Sequence, residues 1–317
     1  IAGWFGDYTA AVVDRLSDRV QHWMTINEPQ VFIKFGYGDG TLAPGLKLAL
    51  GEQTEACHQA LRAHGRCVQV IRSRAKKPPT VGWALVGRTD FPMSDEPRDV
   101  EAARRGMMDI TDPHLWNNTW YGDPVVFGRY PEDGLKLFGP EAHPPIEPGD
   151  MELISQKIDF YGLNIYDGRQ VRAGADGKTE VVNFNPGHAQ TAFRWFITPP
   201  CLRWGPRLIH ERYKLPVYIT ENGLSNNDWV GTDGQVHDPQ RIDYTRRYLT
   251  ALRQAIGDGA DIRGYFHWSL MDNFEWAAGY RERFGLIHVD FDTQKRTLKD
   301  AAKWYSRVIA ANDPGVD

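Results

Sequence analysis

The 317-residue sequence predicts an α/β protein, part of a (β/α)8 TIM-type barrel. Three observations lead there. Short β-branched and aromatic runs alternate with long helical patterns, which implies parallel strands covered by helices. No GxGxxG or Walker pattern occurs, although a doubly wound sheet usually shows a Gly-rich phosphate loop after its first strand. The residues suited to chemistry stand after several different strands, and in a barrel those strand ends converge on one pocket.

The elements follow in order. "WFGDYTAAVVDRLSD" opens the chain with a helical pattern. "VQHWMTI" (20–26) reads as a strand. Leu61, His64, Val68 and Ile71 then keep helical spacing within a helix near 51–75. "TVGWALV" (80–86) is the second strand, with a helix near 96–109 after it. "IDFYGLNI" (158–165) is the third, "VYIT" (217–220) the fourth and "GYFHWSL" (264–270) the fifth. Ile242, Thr245, Leu249, Leu252 and Ile256 mark a helix near 239–257, and a last helix runs near 298–311. Residues 167–184, "DGRQVRAGADGKTEVVNF", read as a polar hairpin inserted into this alternation, two alternating runs around a Gly-Ala-Asp-Gly turn. No repeat, linker or low-complexity tract divides the chain, so 1–317 reads as one catalytic domain.

Composition excludes several classes of partner. At 41% hydrophobic and 25% charged residues the chain is ordinary for a globular protein. A net charge of −4 favours neither nucleic acid nor an anionic membrane. The basic run "RSRAKK" (Arg72 to Lys77) fits a solvated helix end that complements the helix dipole. Cys57 and Cys67 share a helix, roughly 15 Å apart along its axis, too far for a disulfide. With Cys201 they read as reduced, buried thiols, which implies a cytoplasmic setting. Zinc spacing is absent and no cofactor or metal is expected. No apolar run reaches about 18 residues, so no membrane partner is expected, and no signal peptide is visible. The chain starts at Ile1 in the middle of a helical pattern, which reads as a truncated or processed end. Tryptophan is abundant, with eleven residues. Trp116, Trp120, Trp195, Trp204, Trp229, Trp268 and Trp276 fall in or beside loop-like stretches. Core packing explains any one of them, while several together suit the apolar faces of sugar rings.

Two carboxylates stand at strand ends in rigid frames: Glu28 in "INEP", fixed by Pro29, and Glu221 in "TENG", followed by an Asn222-Gly223 turn. Asn27, Asn164, Tyr166 and Trp268 occupy the same kind of position. A solitary glutamate at a strand end is more often a surface ion pair, but two in this arrangement point to glycoside hydrolysis. One carboxyl protonates the leaving oxygen and the other attacks the anomeric carbon, with a separation of roughly 5–5.5 Å for retention and more for inversion.

"TINEP", "GYGDGTLAPG" (Gly36 to Gly45), "FYGLNIY" (Phe160 to Tyr166), "YITENG" (Tyr218 to Gly223) and "HWSLMDNFEWAAGYRERFGL" (His267 to Leu286) resemble the family 1 glycoside hydrolases, the β-glucosidases and their relatives. The motifs appear in the family's order along essentially the whole chain. The resemblance implies a retaining double displacement with Glu28 as acid/base and Glu221 as nucleophile. It implies that Asn27 bonds the sugar 2-hydroxyl, that Asn164 and Tyr166 form the N-x-Y pair, and that Tyr166 orients Glu221. It implies Trp268 as the platform under the glycone, Glu275 and Trp276 at the 4- and 6-hydroxyls, and Trp195 as the aromatic on the aglycone side. With Glu221 ionised nearby, Glu28 is expected to hold its proton until the sugar esterifies Glu221.

By the family's order, the five countable strand–helix units run from strand 4 to helix 8, and the hairpin at 167–184 follows the sixth strand. The family's N-terminal strands, with a glycone-binding Gln and a His-Trp pair, have no match, so a complementing N-terminal segment is an expected partner. His22-Trp23 lies within the strand before "NEP" and is not that pair. Gln30 stands where many members carry an aromatic on the aglycone side. The expected substrate is a terminal β-D-glucoside or cello-oligosaccharide, which would place the chain in cellulose degradation, with fucosides and galactosides open. Glu275 argues against the 6-phospho-β-glycosidases, and Glu28 against the thioglucosidases. A catalytically incomplete fragment that only binds sugar stays open as the alternative.

Overall fold

The structure is a computed structural model that describes residues 1–316. In chain order the helix α1 (Ala2–Leu16) leads to strand β1 (His22–Asn27), a helical turn α2 (Pro29–Val31), and the long helix α3 (Leu50–Arg74). Next come β2 (Thr80–Leu85), β3 (Asp90–Pro92), α4 (Pro97–Met108), α5 (Thr119–Phe127), α6 (Glu132–Phe138) and α7 (Asp150–Ile154). Strands β4 (Phe160–Asn164), β5 (Arg169–Ala173) and β6 (Thr179–Val182) precede α8 (Cys201–Tyr213) and β7 (Val217–Asn222). Helix α9 (Pro239–Gly257), β8 (Ile262–His267), β9 (Ile287–Val289), β10 (Arg296–Leu298) and α10 (Asp300–Ala311) complete it. The chain divides into two compact units. The first holds Ile1–Arg88, Arg104–Asn164 and Arg212–Tyr218, and the second holds Thr89–Ala103, Ile165–Glu211 and the chain from Ile219 on.

In the first unit β1, β2 and β4 lie parallel in that order, with Met24 opposite Gly82 and Trp83 opposite Tyr161. The Tyr161 N–H donates to the Pro216 carbonyl at 2.8 Å, which sets the start of β7 beside β4. Helix α3 turns the face of Leu61, His64, Val68 and Ile71 inward, and all four are buried. His64 shares a 2.6 Å hydrogen bond with Thr25 of β1, so the helix is keyed to the strand that carries Glu28. The C-terminal end of α3 is more than a solvated dipole partner. Arg72 donates to Asp159 at 2.6 Å, Asp159 also accepts the Val81 N–H, and Arg74 pairs with Asp14.

In the second unit β8 lies next to β7, and β5 and β6 form an antiparallel pair whose inner strand runs parallel to β3. Arg169 grips Asp90 with two hydrogen bonds of 2.8 and 2.7 Å, the fork-to-carboxylate geometry that fixes β5 on β3. The strand expected over 264–270 ends at His267. Beyond it Trp268 N–H still donates to Asn222 O at the end of β7, and the chain turns away at Ser269, whose N–H donates to Phe284 O. Trp120 and Trp204 are buried core residues, so these two of the loop-adjacent tryptophans offer no face to a sugar. Cys57, Cys67 and Cys201 are free and buried. Among the described residues no helix is long and apolar enough to cross a membrane, and no cluster of His, Cys, Asp or Glu could hold a metal.

Candidate active site

Glu28 is placed by the sheet and by an unusual backbone. Its N–H donates to Ala84 O at 2.8 Å, extending the β1–β2 ladder by one residue. Its φ of 47° and ψ of 55° are left-handed, a conformation a glutamate rarely adopts, and the chain then enters the α2 turn through Pro29. That corner stops the strand and leaves the carboxyl at its end. The Asn164 Nδ2 donates to Glu28 Oε1 at 2.8 Å and to Asn27 Oδ1 at 3.0 Å, so one amide at the end of β4 orients both. Burial pushes the Glu28 carboxyl above its usual range, and the Asn164 hydrogen bond opposes that shift. Gln30 is fully buried on the α2 turn, and neither its Oε1 nor its Nε2 meets a partner among the described residues.

Glu221 is placed differently. It is the penultimate residue of β7, and its carbonyl accepts the Ile165 N–H at 3.0 Å. The Tyr166 phenol donates to Glu221 Oε2 at 2.7 Å and so fixes the carboxylate rotamer. The Tyr166 ring is itself held, with its centroid 5.0 Å from Trp195 and 6.1 Å from Phe284. Trp195 in turn meets the Phe193 ring at a tilt, centroids 4.6 Å apart. Asn222 and Gly223 do not form the turn read from their sequence. Asn222 is the last residue of β7 and is fully buried. Gly223 is required by close approach, since a side-chain carbon there would lie 1.8 Å from Trp268 O.

The segment from Trp268 to Leu286 carries the other candidates and is pinned by Asp272. Its Oδ1 accepts from Lys299 Nζ at 2.9 Å and from the Gly285 N–H at 3.0 Å, and its Oδ2 accepts from Arg283 at 2.6 Å. Lys299 also reaches Asp228 at 2.6 Å, and Asp228 accepts from Arg241 at 2.7 Å. The side chains of Asp228, Arg241, Asp272 and Lys299 are fully buried. Burial raises the Asp228 carboxyl, but the Arg241 and Lys299 charges outweigh it and hold it below the usual range. On this anchored segment Trp268 and Glu275 are half-buried, and Trp276 stands 68% exposed at a tight turn.

The model of the family described as "Glycosyl hydrolase family 1" matches residues 1–314. The chain belongs to glycosyl hydrolase family 1. A "1,4-beta-D-glucan glucohydrolase" of Thermotoga neapolitana is 40% identical over 314 residues, which are 98% of this chain and 68% of that relative. A "Beta-glucosidase" of Agrobacterium sp. is 39% identical over 319 residues, covering 98% of this chain and 66% of the relative. The solved beta-glucosidase from Thermotoga maritima in complex with glucoimidazole matches with a TM-score of 0.84 at 38% identity, covering 98% of this chain and 69% of that one. This family 1 chain is therefore an α/β fold that covers part of the TIM barrel.

Within the family 1 chain, the first unit brings together Asn27, Glu28 and Asn164, and the second brings together Tyr166, Trp195 and Glu221. Asp272, Lys299, Asp228 and Arg241, and Phe193 and Phe284 beside Trp195 and Tyr166, emerge only from the structure. Asp272 lies inside a quoted motif, but its partners are scattered and no spacing rule joins them. The aromatic cluster, half-buried except for Phe284, had a weak signal, the Phe193 and Trp195 pair two residues apart.

Proposed function

We infer that this chain carries the acid/base and the nucleophile of a retaining β-glycosidase that hydrolyses terminal β-D-glucosyl residues. The observation that carries the reading is the contrast between two strand-end carboxyls. Glu28 sits where burial favours the protonated form, while the Glu221 carboxylate is aimed by the donated Tyr166 phenol. In the first step protonated Glu28 gives its proton to the glycosidic oxygen as Glu221 attacks the anomeric carbon and the bond to the leaving group breaks. In the second, ionised Glu28 takes a proton from water, the water oxygen bonds to the anomeric carbon, and Glu221 is released. Asn27 bonds the 2-hydroxyl, Trp268 packs under the glycone, and Glu275 with Trp276 binds the 4- and 6-hydroxyls. Trp195 stands at the aglycone side. The substrate is a small neutral β-glucoside or cello-oligosaccharide.

The partner this reading adds is a complementing barrel segment. The chain spans about 68% of the Thermotoga neapolitana relative, and β1 is the outermost strand of its sheet with Met24 53% exposed. Hydrolysis of p-nitrophenyl β-glucoside tests both parts. Glu221→Gln abolishes turnover, and Glu28→Ala slows it with rescue of the second step by azide. Full activity in Glu221→Gln protein refutes the assignment. Activity only after adding the segment establishes the complement, and sugar binding without turnover in either case supports a binding-only role.

A further inference from the structure

Behind Glu221 and Tyr166 the second unit holds a hydrogen-bond network of buried tyrosines that converges on the Tyr166 carbonyl. Tyr244 and Tyr248 lie one turn apart on α9 with their rings stacked at 3.9 Å. Both phenols reach one acceptor, the Tyr166 carbonyl, at 3.0 Å each. The Thr198 N–H donates to Tyr248 Oη at 2.8 Å. The Asn222 Nδ2 donates to Tyr244 Oη at 3.1 Å and to the Ile165 carbonyl at 2.8 Å, while Asn222 Oδ1 accepts from Tyr265 Oη at 2.8 Å. A carbonyl only accepts, so the side facing Ile165 O must be the amide nitrogen of Asn222. Each α9 phenol oxygen therefore already receives a hydrogen and has the Tyr166 carbonyl within donating distance, and the two phenols also bond each other. Burial raises the titration of Tyr244, Tyr248 and Tyr265, so they remain donors at neutral pH.

The network brackets the nucleophile. Asn222 follows Glu221 directly and ties the Ile165 carbonyl, while the two phenols tie the next carbonyl, that of Tyr166. The Tyr166 phenol that reaches Glu221 at 2.7 Å thus hangs from a backbone whose carbonyl and preceding carbonyl are both tied. We propose that Tyr244 and Tyr248, backed by Asn222 and Tyr265, are positioning residues that hold the Tyr166 backbone so that its phenol stays on Glu221. This rests on the reading of Glu221 as nucleophile.

The test uses Tyr244→Phe, Tyr248→Phe and the double variant, each alone and in a Tyr166→Phe background. Tyr130→Phe is the control, because Tyr130 is a buried phenol bonded to His58 at 2.8 Å in the first unit. Each single variant lowers kcat on an aryl β-glucoside about tenfold, as expected for one lost hydrogen bond. The double variant, with both donors gone, lowers it on the order of a hundredfold. KM holds steady, and in the Tyr166→Phe background the losses shrink to about twofold or less. Tyr130→Phe also loses one buried hydrogen bond and lowers Tm, but leaves kcat unchanged. A crystal structure of the double variant, or of the singles if it does not fold, shows the Tyr166 phenol off Glu221. Equal losses in both backgrounds, or an intact Tyr166–Glu221 bond in the variants, overturns the proposal. Wild-type protein without turnover even after the complementing segment is added counts against the glycosidase reading alone, and the variant structures still decide the positioning role.

Discussion

Replacing Tyr166 by phenylalanine removes one oxygen and little else. The lost contact is a phenol donating to Glu221 Oε2 at 2.7 Å, in the short, charge-assisted class. Such a bond contributes about 1.5–3 kcal/mol, which converts to a loss of about tenfold to 150-fold in kcat/KM. The phenylalanine ring keeps the packing against Trp195 at 5.0 Å and Phe284 at 6.1 Å, so Tm should hardly move. The assay is kcat and KM on aryl β-glucosides of graded leaving-group acidity, with a thermal melt of the same preparations. Glu221 takes part in both displacement steps, so the loss should appear with good and poor leaving groups alike. A folded Tyr166→Phe protein within about twofold of wild type would refute the reasoning. So would a raised KM at unchanged kcat, which assigns Tyr166 to ground-state sugar binding only.

Other perturbations separate the remaining parts of the account. Asn164→Ala removes the hydrogen bond that opposes burial at Glu28, so the Glu28 carboxyl rises further and the alkaline limb of kcat/KM moves to higher pH. An unmoved limb contradicts it. Ionising Glu28 is penalised in the folded state, because burial raises its pKa above the unfolded value and the folded chain loses stability as pH rises through that range. Glu28→Gln should therefore raise Tm at pH 7, and the gain should vanish as pH falls below about 4, read from melts across that range. Asp272→Ala leaves Lys299 and Arg283 without one of their carboxylate partners in a buried cluster, so denaturant unfolding should show a loss of about 3–5 kcal/mol.

The parallel strands and the α3 face were legible because their signals are local. Leu61, His64, Val68 and Ile71 repeat at helical spacing, and all four are buried. Helix α5 gave no such signal, since Thr119 to Val125 is buried all round and Pro124 lies inside it. Strand β8 read too long because the apolar run continues through Leu270, while the Ser269 N–H turns to Phe284 O and takes the chain out of the ladder. Asn222-Gly223 looked like a turn, but a backbone approach by Trp268 demands the glycine. Glu28, Glu221 and their immediate partners could be named from motifs. The burial that raises the Glu28 carboxyl and the buried charges around Asp272 depend on contacts distant in sequence, which no spacing reveals.

The central claim is that Glu221 becomes covalently bonded to the sugar. Incubating the protein with an activated 2-deoxy-2-fluoro-β-glucoside slows the second displacement enough for peptide mass spectrometry to locate the adduct. The account predicts one glycosyl ester, on the peptide containing Glu221, and none in Glu221→Gln protein. An adduct on Glu28 or another carboxylate, or steady hydrolysis of aryl β-glucoside with no adduct formed, would contradict it.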